Sequence, residues 1–221
     1  MEILYKDKNV LAVFKPPAIA SQPDPTGDAD AMTLAAGMLS DMGESDDLYL
    51  VHRLDRVVGG VLVFARNKKS AAALSELIST HVAEKDYLAV VEGVAEGGRL
   101  VDLIFKDSAA GKSFVVDRMR AGVKEARLTY EPIKTLDIDG RAATLVKIRL
   151  ETGRFHQIRA QFSSRKMSLL GDKKYGSRDA KAKMPALFAY HLGFELFGKR
   201  YDFEKKPDTH TYPWSCFGEY I

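Results

Sequence analysis

A chain of 221 residues, 46% apolar and 29% charged, is long enough to bury a core and ordinary in composition for a globular protein. No apolar run approaches the ~18 residues of a membrane span, and the start, Met1-Glu2-Ile3-Leu4-Tyr5-Lys6, lacks an export-signal pattern. The single cysteine, Cys216, excludes an intramolecular disulfide and a multi-cysteine metal site, so a reducing, cytoplasmic setting is expected. The net charge of +3 is unevenly spread: residues 21–50 hold seven acidic and no basic side chains, whereas residues 147–183 hold eleven basic against three acidic. That layout predicts one face that attracts a polyanion and another that does not.

In chain order, residues 3–5 and 10–14 read as strands about a polar turn. Lys15-Pro16-Pro17 ends the second, because proline cannot donate to a ladder and restricts the residue before it. Asp30 is placed to cap a helix running to about residue 40. A short strand over 48–51 then leads into His52-Arg53-Leu54-Asp55, followed by Arg56-Val57-Val58-Gly59-Gly60 and an apolar strand over 61–65. The glycine pair permits a sharp turn, so Asp55 is lifted on a loop between Arg53 and Arg56, whose charge favours the ionised carboxylate. A nucleophile or general base is presented in this way; a structural Arg–Asp pair would read alike.

Asn67 predicts the N-cap of a helix over 68–81, with Ala71, Leu74, Leu77 and Ile78 at helical spacing. Tyr87 opens an alternating strand over 87–91. Further strands are expected over 100–105, 126–135 and 142–150, the last two joined by the Asp139-Gly140 turn, and over 188–197 and 200–203 around Gly198. Strands and helices without a strict βαβ rhythm predict an α+β fold on a largely antiparallel sheet, as a single domain over residues 1–221.

Four more stretches carry dense polar chemistry. They are Lys85-Asp86-Tyr87-Leu88-Ala89-Val90-Val91-Glu92-Gly93, Glu151-Thr152-Gly153-Arg154-Phe155-His156-Gln157-Ile158-Arg159, Gly171-Asp172-Lys173-Lys174-Tyr175-Gly176, and Phe188-Ala189-Tyr190-His191-Leu192-Gly193-Phe194. The second reads as a glycine turn opening a helix on which His156 and Arg159 share a face, as do Arg154 and Ile158. Cations are disfavoured at a helix start, so an anion is expected beside Arg154 and Arg159.

Taken in order from Lys15-Pro16 to Phe194, these motifs resemble the RNA pseudouridine synthases, specifically the RluA-like branch with an H-R-L-D signature. The resemblance implies a mixed fold with a long, mainly antiparallel sheet, a basic RNA cleft and a uridine flipped into the site. It implies that Asp55 is the catalytic carboxylate, that Tyr87 packs on the flipped base, and that Arg159 pairs with the aspartate. His52, Arg53, Arg56, Arg154, His156, Gln157, Lys173, Lys174 and Tyr175 are the RNA-contacting residues it implies. No metal and no cofactor are expected, since the isomerisation needs neither and no phosphate-cradling GxxxxGK loop occurs. The expected partner is ribosomal or transfer RNA, with no membrane, for a cytoplasmic monomer that begins at the catalytic core without an N-terminal S4 RNA-binding domain.

The chain departs from the family pattern in places. Val57-Val58 stand where an acidic residue and Thr-Ser are usual, and Gln161 stands where a histidine is usual. Two other classes compete. A carboxylate glycosidase needs a second well-placed acid, for which only Glu92, Glu151 and Asp172 are available. A catalytically inactive RNA-binding relative would fit the altered Val57-Val58. A protein-kinase reading of H-R-L-D fails because no D-F-G follows.

Overall fold

The computed structural model describes residues 1–221. In chain order the elements are β1 (Glu2–Lys6), β2 (Val10–Lys15), α1 (Ala31–Asp41), β3 (Tyr49–Leu50), β4 (Gly59–Ala65), α2 (Lys68–Ser79), β5 (Glu84–Glu92), β6 (Gly98–Asp107), β7 (Lys112–Val116), β8 (Val123–Ile138), β9 (Arg141–Leu150), α3 (Gln157–Ser163), β10 (Leu187–Leu196) and β11 (Lys199–Glu204). Short 3-10 turns cover Lys173–Tyr175 and Trp214–Tyr220. The expected α+β class and antiparallel pairing are both found. No helix is long and apolar enough to cross a membrane. The chain forms two compact units, residues 1–85 with 189–206, and residues 86–188 with 207–221.

The first unit is built on the strand order β1-β2-β4-β10, with β11 on β10 and β3 on β4. Every residue of β4 is buried, as suits a strand covered on both faces. Val61, Val63 and Ala65 pack with Val10, Ala12, Leu74, Phe194 and Tyr201. Both predicted caps are present: Asp30 accepts the Thr33 N–H and Asn67 accepts the Ser70 N–H. The second helix ends at Ser79, two residues before the expected end.

The second unit is the order β5-β9-β8-β6-β7. Asp139 and Gly140 both have positive φ, the type I′ geometry that a two-residue hairpin prefers. Strand β8 is longer than expected and shifts register between Pro132 and Lys134, where proline has no N–H to give the ladder. Strand β7 was not expected, because its short polar-edged sequence lacks a clear period. Helix α3 seats the wholly buried Phe162 edge-on to Tyr130, ring centroids 5.0 Å apart. Truncating such a ring to alanine costs about 3–5 kcal/mol.

Candidate active site

In the first unit, the loop from β3 to β4 is held at almost every residue around Asp55. His52 Nε2 accepts the Val63 N–H at 3.0 Å, which places the ring proton on Nδ1. Burial, with a further push from the Lys85 charge, brings the His52 pKa down to about 4, so the ring is neutral and remains an acceptor. Ser21 Oγ accepts the Leu54 N–H at 3.0 Å and donates to the Leu54 carbonyl at 2.9 Å. Val58 N–H closes a turn onto the Asp55 carbonyl, and the Val58 side chain is buried. Of the two valines, Val58 is thus held in the loop by packing.

Beneath the loop lies Lys15, fully buried, its Nζ donating to the carbonyls of Ile19 (2.7 Å), Pro16 (3.1 Å) and Arg56 (3.3 Å). Burial lowers its pKa to about 8, while the Asp55 charge works in the opposite sense. A buried cation thus faces the Asp55 carboxylate electrostatically and braces the loop through Arg56. Lys15 pairs in register with Gly60. Gly60 has φ of +133°, and a Cβ there would stand 2.2 Å from the Ala189 carbonyl oxygen, so only glycine fits.

Arg53 is exposed. Arg56 is engaged with the acidic segment: its terminal nitrogens reach Asp24 at 2.5 Å and Asp28 at 2.8 Å, and Thr26 Oγ1 at 2.9 Å. The acidic stretch and the H-R-L-D loop therefore share one unit and one ion-pair cluster.

In the second unit, half-buried Tyr87 lies on β5 opposite Ile148 of β9. Its neighbour Asp86 is buried and bonded to the Arg149 guanidinium, Nη2 to Oδ2 at 2.8 Å, which fixes this strand pair. Arg159, on α3, is buried and gripped by Asp172 through two hydrogen bonds, of 2.7 and 2.8 Å. The anion expected beside Arg159 is thus supplied by Asp172. Gly171 sets Asp172 up: its φ is +77°, and a Cβ there would meet the Met184 carbonyl oxygen at 2.3 Å.

The G-R-F-H-Q segment differs from its expected form. The helix begins at Gln157, because His156 takes a left-handed φ of +51°. Arg154 precedes the helix and does not share a helical face with Ile158; its Nε donates to the Glu125 carbonyl. Gln157 and Tyr175, expected to touch RNA, are both only 3% exposed and act as architecture. Gln157 accepts from Thr152 and from the Arg154 N–H and donates to the Arg127 carbonyl, so its amide oxygen carries two hydrogen bonds and its nitrogen one. Tyr175 Oη accepts the Ser113 N–H at 2.7 Å and is placed to donate to His156 Nδ1 at 3.0 Å. Burial first, then the charges of Arg159, Lys174 and Lys106, push the His156 pKa down to about 3. Lys173 and Lys174 are exposed. Gln161, at the usual histidine position, is wholly buried and donates to Asp102.

Lys15 and Ser21 were not anticipated as part of the site, nor was Asp172 as the partner of Arg159. The sequence signals for Lys15 are a lysine ending an otherwise apolar strand and the Lys15-Pro16 pair that opens the family resemblance, and neither gives it a role in the site. No group of three or more His, Cys, Asp or Glu side chains is arranged to hold a metal ion. A cavity of about 560 Å³ in the second unit, bordered by Glu92, Arg141, Arg178, Asp179, Lys181 and Tyr212 among others, is lined by neither Tyr87 nor Arg159.

Comparison with known proteins agrees with these motifs. Ribosomal large subunit pseudouridine synthase D of Zymomonas mobilis is 32% identical over 92% of this chain and 68% of its own length. The tRNA pseudouridine synthase C of Haemophilus ducreyi is 30% identical over 80% of this chain and 74% of its own. Among curated relatives the chain spans as little as half of the relative's length, 58% for the Xylella fastidiosa synthase D and 50% for a chloroplastic Arabidopsis thaliana relative. The solved structure of human RNA pseudouridylate synthase domain containing 4 shares the fold, with a TM-score of 0.76 at 24% identity over 94% of this chain and 89% of that one. A family model described as RNA pseudouridylate synthase matches residues 9–164, a span that includes Asp55, Tyr87 and Arg159. By that match and by its relatives, the chain belongs to the RNA pseudouridylate synthases, a family of isomerases.

Proposed function

We propose that residues 1–221 act as one catalytic domain, a cytoplasmic monomer that isomerises uridine to pseudouridine in ribosomal or transfer RNA. The observation that carries this reading is the Asp55 loop, pinned by Ser21, His52 and Lys15 within the family-matched span. The reaction breaks the N1–C1′ bond, turns the base, joins C5 to C1′ and releases the C5 hydrogen as a proton. Asp55 acts on the sugar as a nucleophile at C1′ or as a base at C2′; either role requires the carboxylate form. The charge of buried Lys15 favours that form. Tyr87 offers a ring to the extruded base, restoring part of the stacking lost on flipping. Arg159, aligned by Asp172, serves as the positioning cation. Exposed Arg53, Lys173 and Lys174 meet phosphates, and Arg154 and His156 also contact the RNA.

The test is tritium release from RNA labelled at uridine C5, comparing wild type with Asp55→Asn and adding no cofactor. Release by wild type alone supports the reading. Equal release by both would remove Asp55 from the chemistry, and release by neither from ribosomal and transfer RNA pools would mark an RNA-binding relative.

A further inference from the structure

Within the second unit, aromatic rings and lysines interleave where the β6–β7 hairpin meets the segment before α3. Phe155 is 37% exposed, and one face of its ring stacks on His156, with centroids 3.8 Å apart and planes 20° apart. With that face covered, the Lys106 ammonium, 4.8 Å from the ring centroid, lies on the outer one. Lys112 sits 4.8 Å from the Tyr175 ring and 5.3 Å from that of Phe114, itself 42% exposed. Lys174 reaches the hairpin turn, its Nζ 3.3 Å from where a Cβ on Gly111 would stand. Ser113 ties the hairpin to this segment by donating its hydroxyl to the Phe155 carbonyl at 2.6 Å and its N–H to Tyr175.

Lys106, Lys112 and Lys174 all converge here, and none has a carboxylate partner. The depressed His156 pKa, to which the Lys174 and Lys106 charges contribute, reports the same crowding of cations. Elsewhere in the chain basic side chains are commonly matched to acids, as Arg56 is to Asp24 and Arg165 to Asp102. Unmatched cations resting on rings await an anion that also carries a flat apolar face.

We propose that this shelf, formed by Phe155, Lys106, Lys112 and Lys174, binds an unpaired RNA strand, with one base stacked on Phe155 and the phosphates on the lysines. The proposal rests on the RNA reading above and extends it to Lys106 and Lys112, which lie outside the family motifs, and to a stacking role for Phe155 within one. In the free protein Lys106 caps the outer face of Phe155; an arriving base takes that face, and the ammonium moves onto the neighbouring phosphate. A duplex cannot use the shelf, since its bases are already stacked.

The experiment is fluorescence-anisotropy binding of single-stranded oligouridine, a fully paired RNA duplex and polyglutamate at several salt concentrations. Phe155→Ala should weaken oligouridine binding roughly 5- to 100-fold, with the salt slope unchanged. Phe155→Trp should restore it, which separates stacking from a folding defect. Lys106→Ala with Lys112→Ala should lower the slope of log affinity against log salt by about 1.4, the value for two single-strand phosphates. Duplex affinity should not respond to Phe155→Ala. Unchanged oligouridine binding by both sets of variants would overturn the proposal, and so would polyglutamate bound as tightly as oligouridine. Tritium release by wild type, measured alongside, keeps the outcomes apart: isomerisation with unaltered binding removes the shelf alone. Altered oligouridine binding without isomerisation removes the catalytic reading alone.

Discussion

Arg159 and Asp172 face each other as two parallel hydrogen bonds, Nε to Oδ2 at 2.7 Å and Nη2 to Oδ1 at 2.8 Å, with both side chains nearly sealed from water. Removing one member of such a pair leaves the other charged and buried. Asp172→Ala is therefore expected to destabilise the fold by about 3–5 kcal/mol. Tritium release should fall steeply even at temperatures where the variant remains folded. Thermal melts and single-turnover rates check the two parts; a variant as stable and active as wild type would make Asp172 incidental.

Lys15 gives a pH signature at the alkaline end. Its ordinary pKa is 10.5, and burial brings the folded value to about 8. Between those values the unfolded chain holds a proton that the folded chain has shed, so this site's contribution to stability rises with pH. The stability of wild type relative to Lys15→Met should increase from about pH 8 to 10.5, by on the order of 3 kcal/mol. Denaturant titrations of both proteins across that range measure the difference. At neutral pH the variant leaves the Pro16, Ile19 and Arg56 carbonyls without their donor, and activity should drop as the Asp55 loop loosens.

His52 gives the acid-side counterpart. Its pKa falls from 6.5 to about 4, chiefly through burial and then through the Lys85 charge, and a protonated ring could not accept the Val63 N–H. Its contribution is fully present above pH 6.5 and is lost as the pH falls through about 4, amounting to roughly 3 kcal/mol. His156 titrates in the same sense, so the comparison with His52→Gln isolates one ring. The glutamine variant should show a flatter stability profile between pH 4 and 6.5 in denaturant titrations.

Much of the fold was legible because it is local. Asp30 and Asn67 cap their helices from three residues away, and Asp139-Gly140 makes its turn from its own backbone preferences. The Asp55 loop was legible from its glycines and its charged signature. Arg154 was misplaced because nothing in the sequence announces a left-handed His156, which delays the helix to Gln157. Ser21, Lys15 and Asp172 carried no readable role, since their partners are chosen by tertiary packing. Gln157 and Tyr175 were read as RNA contacts because polar residues in a motif look alike whether they face water or brace a turn.

Arg56 is occupied by Asp24 and Asp28 beside the proposed catalytic loop. Neutralising both acids in the variant Asp24→Asn/Asp28→Asn frees this guanidinium for phosphate. Binding of RNA, followed by anisotropy, should tighten severalfold at low salt, and the gain should vanish as salt is raised. Exposed pairs of this kind add little to folding, so the melting temperature should hardly move.

The two bonds between Ser21 and Leu54 join positions 33 residues apart. The loop that carries Asp55 therefore cannot reach its final shape from its own sequence. It waits for the chain beyond β2 to dock, so the geometry of the proposed catalytic loop depends on the closure of a long loop. Amide exchange at Leu54 would time that event directly: its protection should appear only once the segment bearing Ser21 has locked into place.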